Sequence, residues 1–258
     1  ITEQLPNPSV HVINILSNNV ILQNITIDGN HKAQHGVQAY MATGIQLTNV
    51  TSINNRGYGV VVNTSEVTAD ELYTSDNGWG GVNVDTRTTT TGNASFTMNS
   101  GTLSDANALY VENTDTADTS ATIINGGTFK GEVHLKDNIT GATLTVKGGT
   151  FMESMADYAD KYTFLYEVEK GSTFSYYKDA AEALNAAGTS GTVNTVGGES
   201  IGQGNVVTIT FVFTSSLKKE IKVNITNGSV SVTMPEASRS NYRFLGWQKD
   251  ADEDTLYQ

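Results

Sequence analysis

The chain has 258 residues, no cysteine and a formal net charge of −12. This length allows one large domain or two smaller ones, the lack of cysteine excludes a disulfide framework, and no apolar run is long enough for a transmembrane helix. Nucleic acids and polyanionic glycans are excluded as natural ligands of so acidic a chain, because binding them needs clustered Lys and Arg, whereas neutral sugars remain compatible with it.

A short apolar pattern recurs along the first half of the chain. It is seen in GVQAY at 36–40, GVVVN at 59–63, GVNVD at 81–85, ALYVE at 108–112 and EVHLK at 132–136, whose starts are 23, 22, 27 and 24 residues apart. In each segment the second and fourth residues are apolar. This period-2 alternation predicts strands with one buried face.

A second repeat runs out of phase with the first. Asn24 and Asn49 fall at equivalent places, 25 residues apart, and the motif GGTF occurs at 126–129 and again at 148–151. Short strands at such spacing bury their apolar faces only by stacking coil upon coil. We therefore predict an all-β fold, a right-handed parallel β-helix over 1–158. An antiparallel β-sandwich is the alternative, but it predicts no phase-locked repeat.

Two segments, NVILQNITIDGN at 19–30 and GIQLTNVTSINNRGYGVVVN at 44–63, together with the paired GGTF motifs, resemble the pectate-lyase-like superfamily of right-handed β-helices. The resemblance covers about 1–151 and implies the fold rather than an activity. The chain starts at Ile1 without an export signal. We expect the signal, any anchor and a cover for the first coil to lie in upstream residues or another chain.

Residues 159–204 are predicted to form a connector with a small α+β fold. It contains strands at 163–168, 173–177 and 192–196, a short amphipathic helix at 179–187 that ends at Gly188, and a glycine-rich linker at 197–204.

Residues 205–258 are predicted to form a small β-rich module, with strands at 206–213, 220–226 and 229–234. The tripeptide PEA at 235–237 followed by YRFLGW at 242–247 resembles the Listeria–Bacteroides repeat of bacterial surface proteins. The resemblance implies a β-grasp-like spacer on a secreted or wall-attached protein, with Trp247 in its core.

The repeat also predicts which side chains face outward on the β-helix. The aligned segments give two columns: Gln38, Val61, Asn83, Tyr110 and His134, and Tyr40, Asn63, Asp85, Glu112 and Lys136. Asp85 and Glu112 lie on successive coils, about 4.8 Å apart at the backbone. Paired carboxylates at such spacing are what a retaining glycosidase uses, so these two are the candidate catalytic residues. In the alternative, they are solvated surface acids and Lys136 neutralises Glu112.

Aromatic and amide side chains near the carboxylates are candidate glycan contacts: Tyr40, Tyr58, Trp79, Asn83 and Tyr110. Trp79 is equally consistent with covering a glycine-rich corner. Asp28, His31 and His35 lack the spacing of a zinc site, and we predict a surface turn there, with no metal and no cofactor.

The first functional hypothesis is a non-catalytic, extracellular bacterial surface module that contacts neutral glycans or a host or bacterial surface protein, without nucleic acid and without membrane insertion in this segment. The alternative is a glycoside hydrolase that acts on a neutral glycan with Asp85 and Glu112. A polysaccharide lyase is a weaker alternative because of the acidic charge.

Overall fold

The computed structural model describes residues 10–87, 91–136, 139–160, 166–196, 200–203, 206–212, 218–224, 247–248 and 256–257. Fifteen strands precede the connector within these ranges. In chain order they are β1 (Ile13–Ile15), β2 (Ile21–Asp28), β3 (Val37–Tyr40), β4 (Ile45–Ile53), β5 (Tyr58–Asn63), β6 (Glu66–Ser75), β7 (Gly80–Asp85), β8 (Ala94–Met98), β9 (Gly101–Leu103), β10 (Asn107–Val111), β11 (Ser120–Ile124), β12 (Thr128–Phe129), β13 (Glu132–Leu135), β14 (Ala142–Val146) and β15 (Thr150–Phe151).

Equivalent strands of successive coils pair in parallel and form two long sheets. Sheet A has six strands in the order β1-β3-β5-β7-β10-β13. Sheet B takes one long strand from each of the first three coils (β2, β4 and β6) and two shorter strands from each later coil (β8 and β9, β11 and β12, β14 and β15). The chain is therefore a parallel β-helix of about 6 turns, which confirms the predicted fold class.

A bend divides sheet B into two parts. Asn24 in β2 and Asn49 in β4 have φ angles of 54° and 51°, and the Asn49 side-chain amide donates to the Asn24 side-chain oxygen at 2.9 Å. In a later coil the bend falls at Gly101, whose φ is 119°. A Cβ there would lie 2.0 Å from the Leu72 carbonyl oxygen, so only glycine fits. The predicted equivalence of Asn24 and Asn49 is confirmed.

The core runs along the axis of the β-helix between the two sheets. The four side chains predicted to stack inward on successive coils are buried at paired positions of sheet A: Val60, Val82, Leu109 and Val133. Farther along, the rings of Phe129 and Phe151, from the two GGTF motifs, stack with centroids 4.9 Å apart. The alternation and the repeated motif therefore position the core as predicted.

An antiparallel segment, here called the C-terminal cap, extends sheet B at its last coil. It comprises β16 (Tyr166–Lys170), β17 (Thr173–Tyr177), α1 (Ala180–Ala187), β18 (Thr192–Thr195) and β19 (Ser200–Gln203). Strand β17 pairs with β15, and the order continues as β17-β16-β18-β19. The parallel sheet thus changes to antiparallel pairing where the repeat stops.

A polar cluster, in which Glu167 and Tyr176 are buried, ties the cap to the last coil. The Tyr176 hydroxyl donates to the Glu167 carboxylate and accepts from the Met155 backbone N–H at 2.5 Å, while the Ser154 hydroxyl donates to Glu167 at 2.6 Å. Burial is the main cause that raises the pKa of Tyr176, so the hydroxyl keeps its proton for this bond. We call Ser154, Glu167 and Tyr176 the latch.

Helix α1 matches its prediction. The Asp179 carboxylate accepts from the backbone N–H groups of Ala181 and Glu182, at 2.8 and 3.0 Å, and Gly188 ends the helix with a φ of 62°. Its apolar side packs on the cap strands.

Among the described residues, no helix has the length and apolar character needed to cross a membrane.

The predicted linker at 197–204 is wrong where the structure describes it. Residues Ser200–Gln203 form β19, because the edge of β18 offers unpaired backbone groups that this segment satisfies. The predicted strands at 206–213 and 220–226 correspond to β20 (Val206–Val212) and β21 (Lys218–Asn224), which pair antiparallel. Strands β22 (Trp247–Gln248) and β23 (Leu256–Tyr257) also pair. The predicted strand at 229–234 and the motif segment 235–246 lie outside the described residues.

Candidate functional site

The outer face of sheet A carries the two predicted columns in the predicted register. In the first column, backbone pairing aligns Gln38, Val61, Asn83, Tyr110 and His134. In the second column, backbone pairing aligns Tyr40, Asn63 and Asp85. Glu112 and Lys136 come directly after β10 and β13, and their backbone N–H groups donate to carbonyl oxygens of the preceding coil at 2.9 and 3.0 Å. Asp85 and Glu112 therefore do lie on adjacent coils.

Both carboxylate oxygens of Asp85 are bonded to one residue of the next coil. The Thr114 backbone N–H donates to Oδ1 at 2.7 Å, and the Thr114 hydroxyl donates to Oδ2 at 2.8 Å. Burial, and to a smaller extent the charge of Glu112, raises the pKa of Asp85, while the bonds from Thr114 oppose that rise. The sequence repeat did not identify Thr114, because this residue lies in an irregular corner after β10.

Both carboxylate oxygens of Glu112 also have partners within the protein. The Asn83 side-chain amide donates to Oε1 at 3.2 Å, and the Lys136 ammonium lies 3.2 Å from Oε2. The hydrogen bond to Glu112 and its charge raise the pKa of Lys136. The ion pair between Lys136 and Glu112, which was the alternative to a catalytic role, is present. Asn83 is only 6% exposed, so its amide positions Glu112 rather than facing solvent.

Tyr58 lies beside these acids. Burial raises the pKa of Tyr58 to about 12, and the charges of Glu112 and Asp85 add to this effect. The phenol is therefore a neutral hydrogen-bond donor at neutral pH. Its ring also contacts that of Trp79, edge to face, with centroids 5.8 Å apart.

Trp79 is the most exposed large aromatic side chain on this face, at 55%. Besides Tyr58, its ring meets the His35 ring at 5.5 Å. The indole is thus fixed by two ring contacts while more than half of its surface stays in solvent. In the adjoining glycine-rich corner only glycine fits at position 78, since a Cβ on Gly78 would lie 2.4 Å from the Arg56 carbonyl oxygen.

Two further aromatic contacts lie along the same columns. The rings of Tyr110 and His134 stack with centroids 5.3 Å apart and an interplanar angle of 5°. At the other side of the face, the Arg87 guanidinium lies 5.6 Å from the centre of the Tyr40 ring. The candidate contacts therefore occupy both columns of the face.

The predicted surface turn at Asp28, His31 and His35 is wrong for His35. This side chain is only 7% exposed and stacks between His11, at 5.0 Å, and Tyr58, at 5.9 Å. Its Nδ1 accepts from the Tyr58 backbone N–H at 2.9 Å. Sequence periodicity missed this stack because the rings come from three different coils.

No cluster of three or more metal-ligating side chains is found in the part of the chain that the structure describes.

Comparison with protein-family models, with curated proteins and with solved structures finds no match to this chain.

Proposed function

We propose that the outer face of sheet A is a non-catalytic binding surface for neutral glycans, carried by an extracellular bacterial surface protein. The observation that carries the proposal is the exposed indole of Trp79, held beside Tyr58 on the same face as the stacked Tyr110 and His134 rings. Fixed aromatic rings offer apolar surface to the C–H groups of a sugar at low entropic cost.

The polar groups around the rings support binding rather than reaction. Each oxygen of Asp85 and Glu112 already accepts a hydrogen bond or faces a cation within the protein. A nucleophilic carboxylate and its acid partner need their oxygens directed at the substrate. Acceptors held in fixed positions are instead suited to orienting sugar hydroxyls through their remaining lone pairs.

The charge of this face supports a neutral ligand. The carboxylates of Asp85 and Glu112 are matched by the Lys136 ammonium and by the Arg87 guanidinium over Tyr40, so the face carries no excess of positive charge. An anionic sugar gains no net attraction there, whereas a neutral sugar requires none. The acidic balance of the whole chain acts in the same direction.

A glycoside hydrolase is the second candidate, favoured by one observation. The pKa of Asp85 is raised, chiefly by burial and also by Glu112, and a general acid requires such a shift. In this case Asp85 donates the proton to the leaving oxygen and Glu112 is the second carboxylate.

Glycan-array binding of the parent and of Trp79→Ala and Tyr110→Ala tests the proposal. We expect each variant to lose at least about tenfold in affinity for neutral glycans, because a stacking surface is removed. Met152→Ala removes an exposed apolar side chain that follows β15 in sheet B, and it is the control that retains binding. Unchanged affinity in both sheet A variants contradicts the proposal.

A reducing-sugar assay on the bound glycans separates the two candidates. Under the binding proposal, neither the parent nor the Asp85→Asn and Glu112→Gln variants release reducing ends. Release by the parent that is lost in both variants assigns the face to the hydrolase instead.

A further inference from the structure

The outer face of sheet B, beyond its bend, carries a column of threonines with one exception. The paired positions are Thr26, Thr51, Tyr73, Thr102, Thr128 and Thr150. Tyr73 replaces threonine on the third coil and is 39% exposed. Its ring therefore stands above an otherwise flat surface of hydroxyls and methyl groups.

The next outward-facing position, two residues further along the strands, carries the second long side chain of this surface. Ile53, Ser75 and Ser104 occupy this position on consecutive coils, and Lys130 follows on the next one, where its backbone N–H bonds the Leu103 carbonyl at 2.9 Å. Tyr73 and Lys130 are thus the two long side chains of this surface that carry polar ends. They stand on different coils, with the short side chains of Thr102 and Ser104 on the coil between them.

These two side chains help to line an open surface pocket with a volume of about 310 Å³. Its lining includes Thr51, Tyr73, Ser75, Thr102, Ser104 and Lys130. The volume lies at the lower end of the range of small-molecule sites and corresponds to a ligand of about one sugar ring.

We infer that this pocket is a second binding site, for a single sugar residue that carries one negative charge, such as a carboxylate or sulfate. Tyr73 supplies an apolar ring for the sugar face, and the threonine and serine hydroxyls supply donors and acceptors for the sugar hydroxyls. Lys130 supplies the cation for the acidic group.

The charge around the pocket supports an anionic ligand. No Asp or Glu is among the side chains that line it, although the chain as a whole is strongly acidic. No ion pair is formed by Lys130 within the described residues. Its ammonium is therefore available to a ligand, in contrast to Lys136 on sheet A, which is paired with Glu112.

The inference is independent of the function proposed for sheet A. None of the aromatic residues of that face, such as Trp79 and Tyr110, lines this pocket. The ligand classes also differ, since one site takes a neutral glycan and the other a charged ring. The two proposals therefore succeed or fail separately.

Titration of the intact, isotope-labelled protein with methyl β-D-glucuronide and methyl β-D-glucoside, followed by NMR, tests the inference. We expect saturable shifts at the amides of Tyr73, Thr102 and Lys130, with the glucuronide binding at least about tenfold more tightly than the glucoside. Lys130→Gln abolishes this preference, and Tyr73→Ala weakens binding of both probes. Trp79→Ala on sheet A leaves the shifts of the pocket amides (Tyr73, Thr102 and Lys130) unchanged with both probes.

Equal affinity for the two probes overturns the inference, as does a preference that persists in Lys130→Gln. Shifts that are confined to sheet A, or a lack of saturable shifts with either probe, also overturn it. Circular dichroism of Tyr73→Ala and Lys130→Gln confirms that each variant is folded, so that lost binding reports on the pocket.

Discussion

His35 is buried in a stack of rings although its imidazole can carry a charge. Its Nδ1 accepts a backbone hydrogen bond from Tyr58, so the neutral ring has its proton on Nε2. Burial lowers the pKa of His35 to about 4 from its ordinary 6.5, and the nearby His11 adds to the effect. The folded protein therefore keeps this ring neutral over a pH range in which the unfolded chain protonates it.

The stability of the protein consequently falls as the pH falls. Because the folded pKa lies below the unfolded one, the contribution of His35 is complete above pH 6.5 and is lost progressively down to about pH 4. We expect the free energy of unfolding to decrease by about 3 kcal/mol over this window through His35 alone. Urea titrations at several pH values measure the effect.

The variant His35→Asn isolates this contribution, because the Asn side chain retains an acceptor near the position of Nδ1 but does not titrate. Its free energy of unfolding is expected to depend less on pH than that of the parent. His31→Asn removes an exposed histidine and is the control. The same pH dependence in His35→Asn and the parent contradicts the assignment.

Between β-strands, stacked polar side chains join the coils at their corners. The Asn77 side-chain oxygen accepts from the backbone N–H and the side-chain amide of Asn55, at 3.0 and 2.7 Å. The Asn77 backbone N–H in turn donates to Asp105 on the next coil at 2.7 Å. These three side chains, buried one above another, form an internal ladder that satisfies backbone groups of the turns.

Asn77→Ala removes the middle rung of this ladder. We expect a loss of about 3 kcal/mol in the free energy of unfolding, because the Asn55 backbone N–H and one N–H of its side-chain amide lose their buried acceptor. Asn99→Ala is the matched control, since its bond to Asn125 on the next coil, at 2.8 Å, is exposed to water. That variant is expected to lose less than about 1 kcal/mol, and urea unfolding measures both. Equal losses in the two variants contradict the role of burial.

The strand register was predictable from sequence, whereas the corners were not. The alternation of apolar residues such as Val60 and Val82 fixes which face of each strand is buried. A shift of the strand by one residue would expose all of these apolar side chains, so the register can be read from the sequence of the strand itself. The partner of Asp85, by contrast, depends on the path of the corner that contains Thr114, which no periodicity describes. Strand β19 was missed because its residues, SIGQ at 200–203, show no apolar alternation, and the strand is defined by backbone pairing with β18.

Over the whole molecule, the two ends of the β-helix differ. The last coil is continued by the cap and bonded to it through the latch. In the first coil, Ile25 pairs with buried Val50 and faces the core, yet it is 36% exposed. Within the described residues, β1 and β2 are the outermost strands at that end of their sheets. The packing is therefore less complete at the first coil.

Hydrogen exchange in a strictly monomeric sample should reflect this difference. We expect the amides of β1 and β2 to exchange faster than those of β7 and β10, because coils with a neighbour on each side open only when both interfaces are broken. Exchange at 11–27 as slow as at 108–112 contradicts this expectation. The cap strands β16 and β17 provide an internal comparison at the opposite end.

The attachment of the C-terminal cap to the last coil also affects how the molecule responds to mechanical force. The hydrogen bonds between coils run along the axis of the β-helix, so an axial pull stretches successive coil interfaces in series. Under such a pull the coil interfaces separate one after another at low force, because their hydrogen bonds are not loaded together in shear. The bonds from Ser154 to Glu167 and from the Met155 backbone N–H to Tyr176 cross between the last coil and the cap, so tension applied through the cap passes through them. Because links in series carry equal tension, these bonds bear the same load as each coil interface.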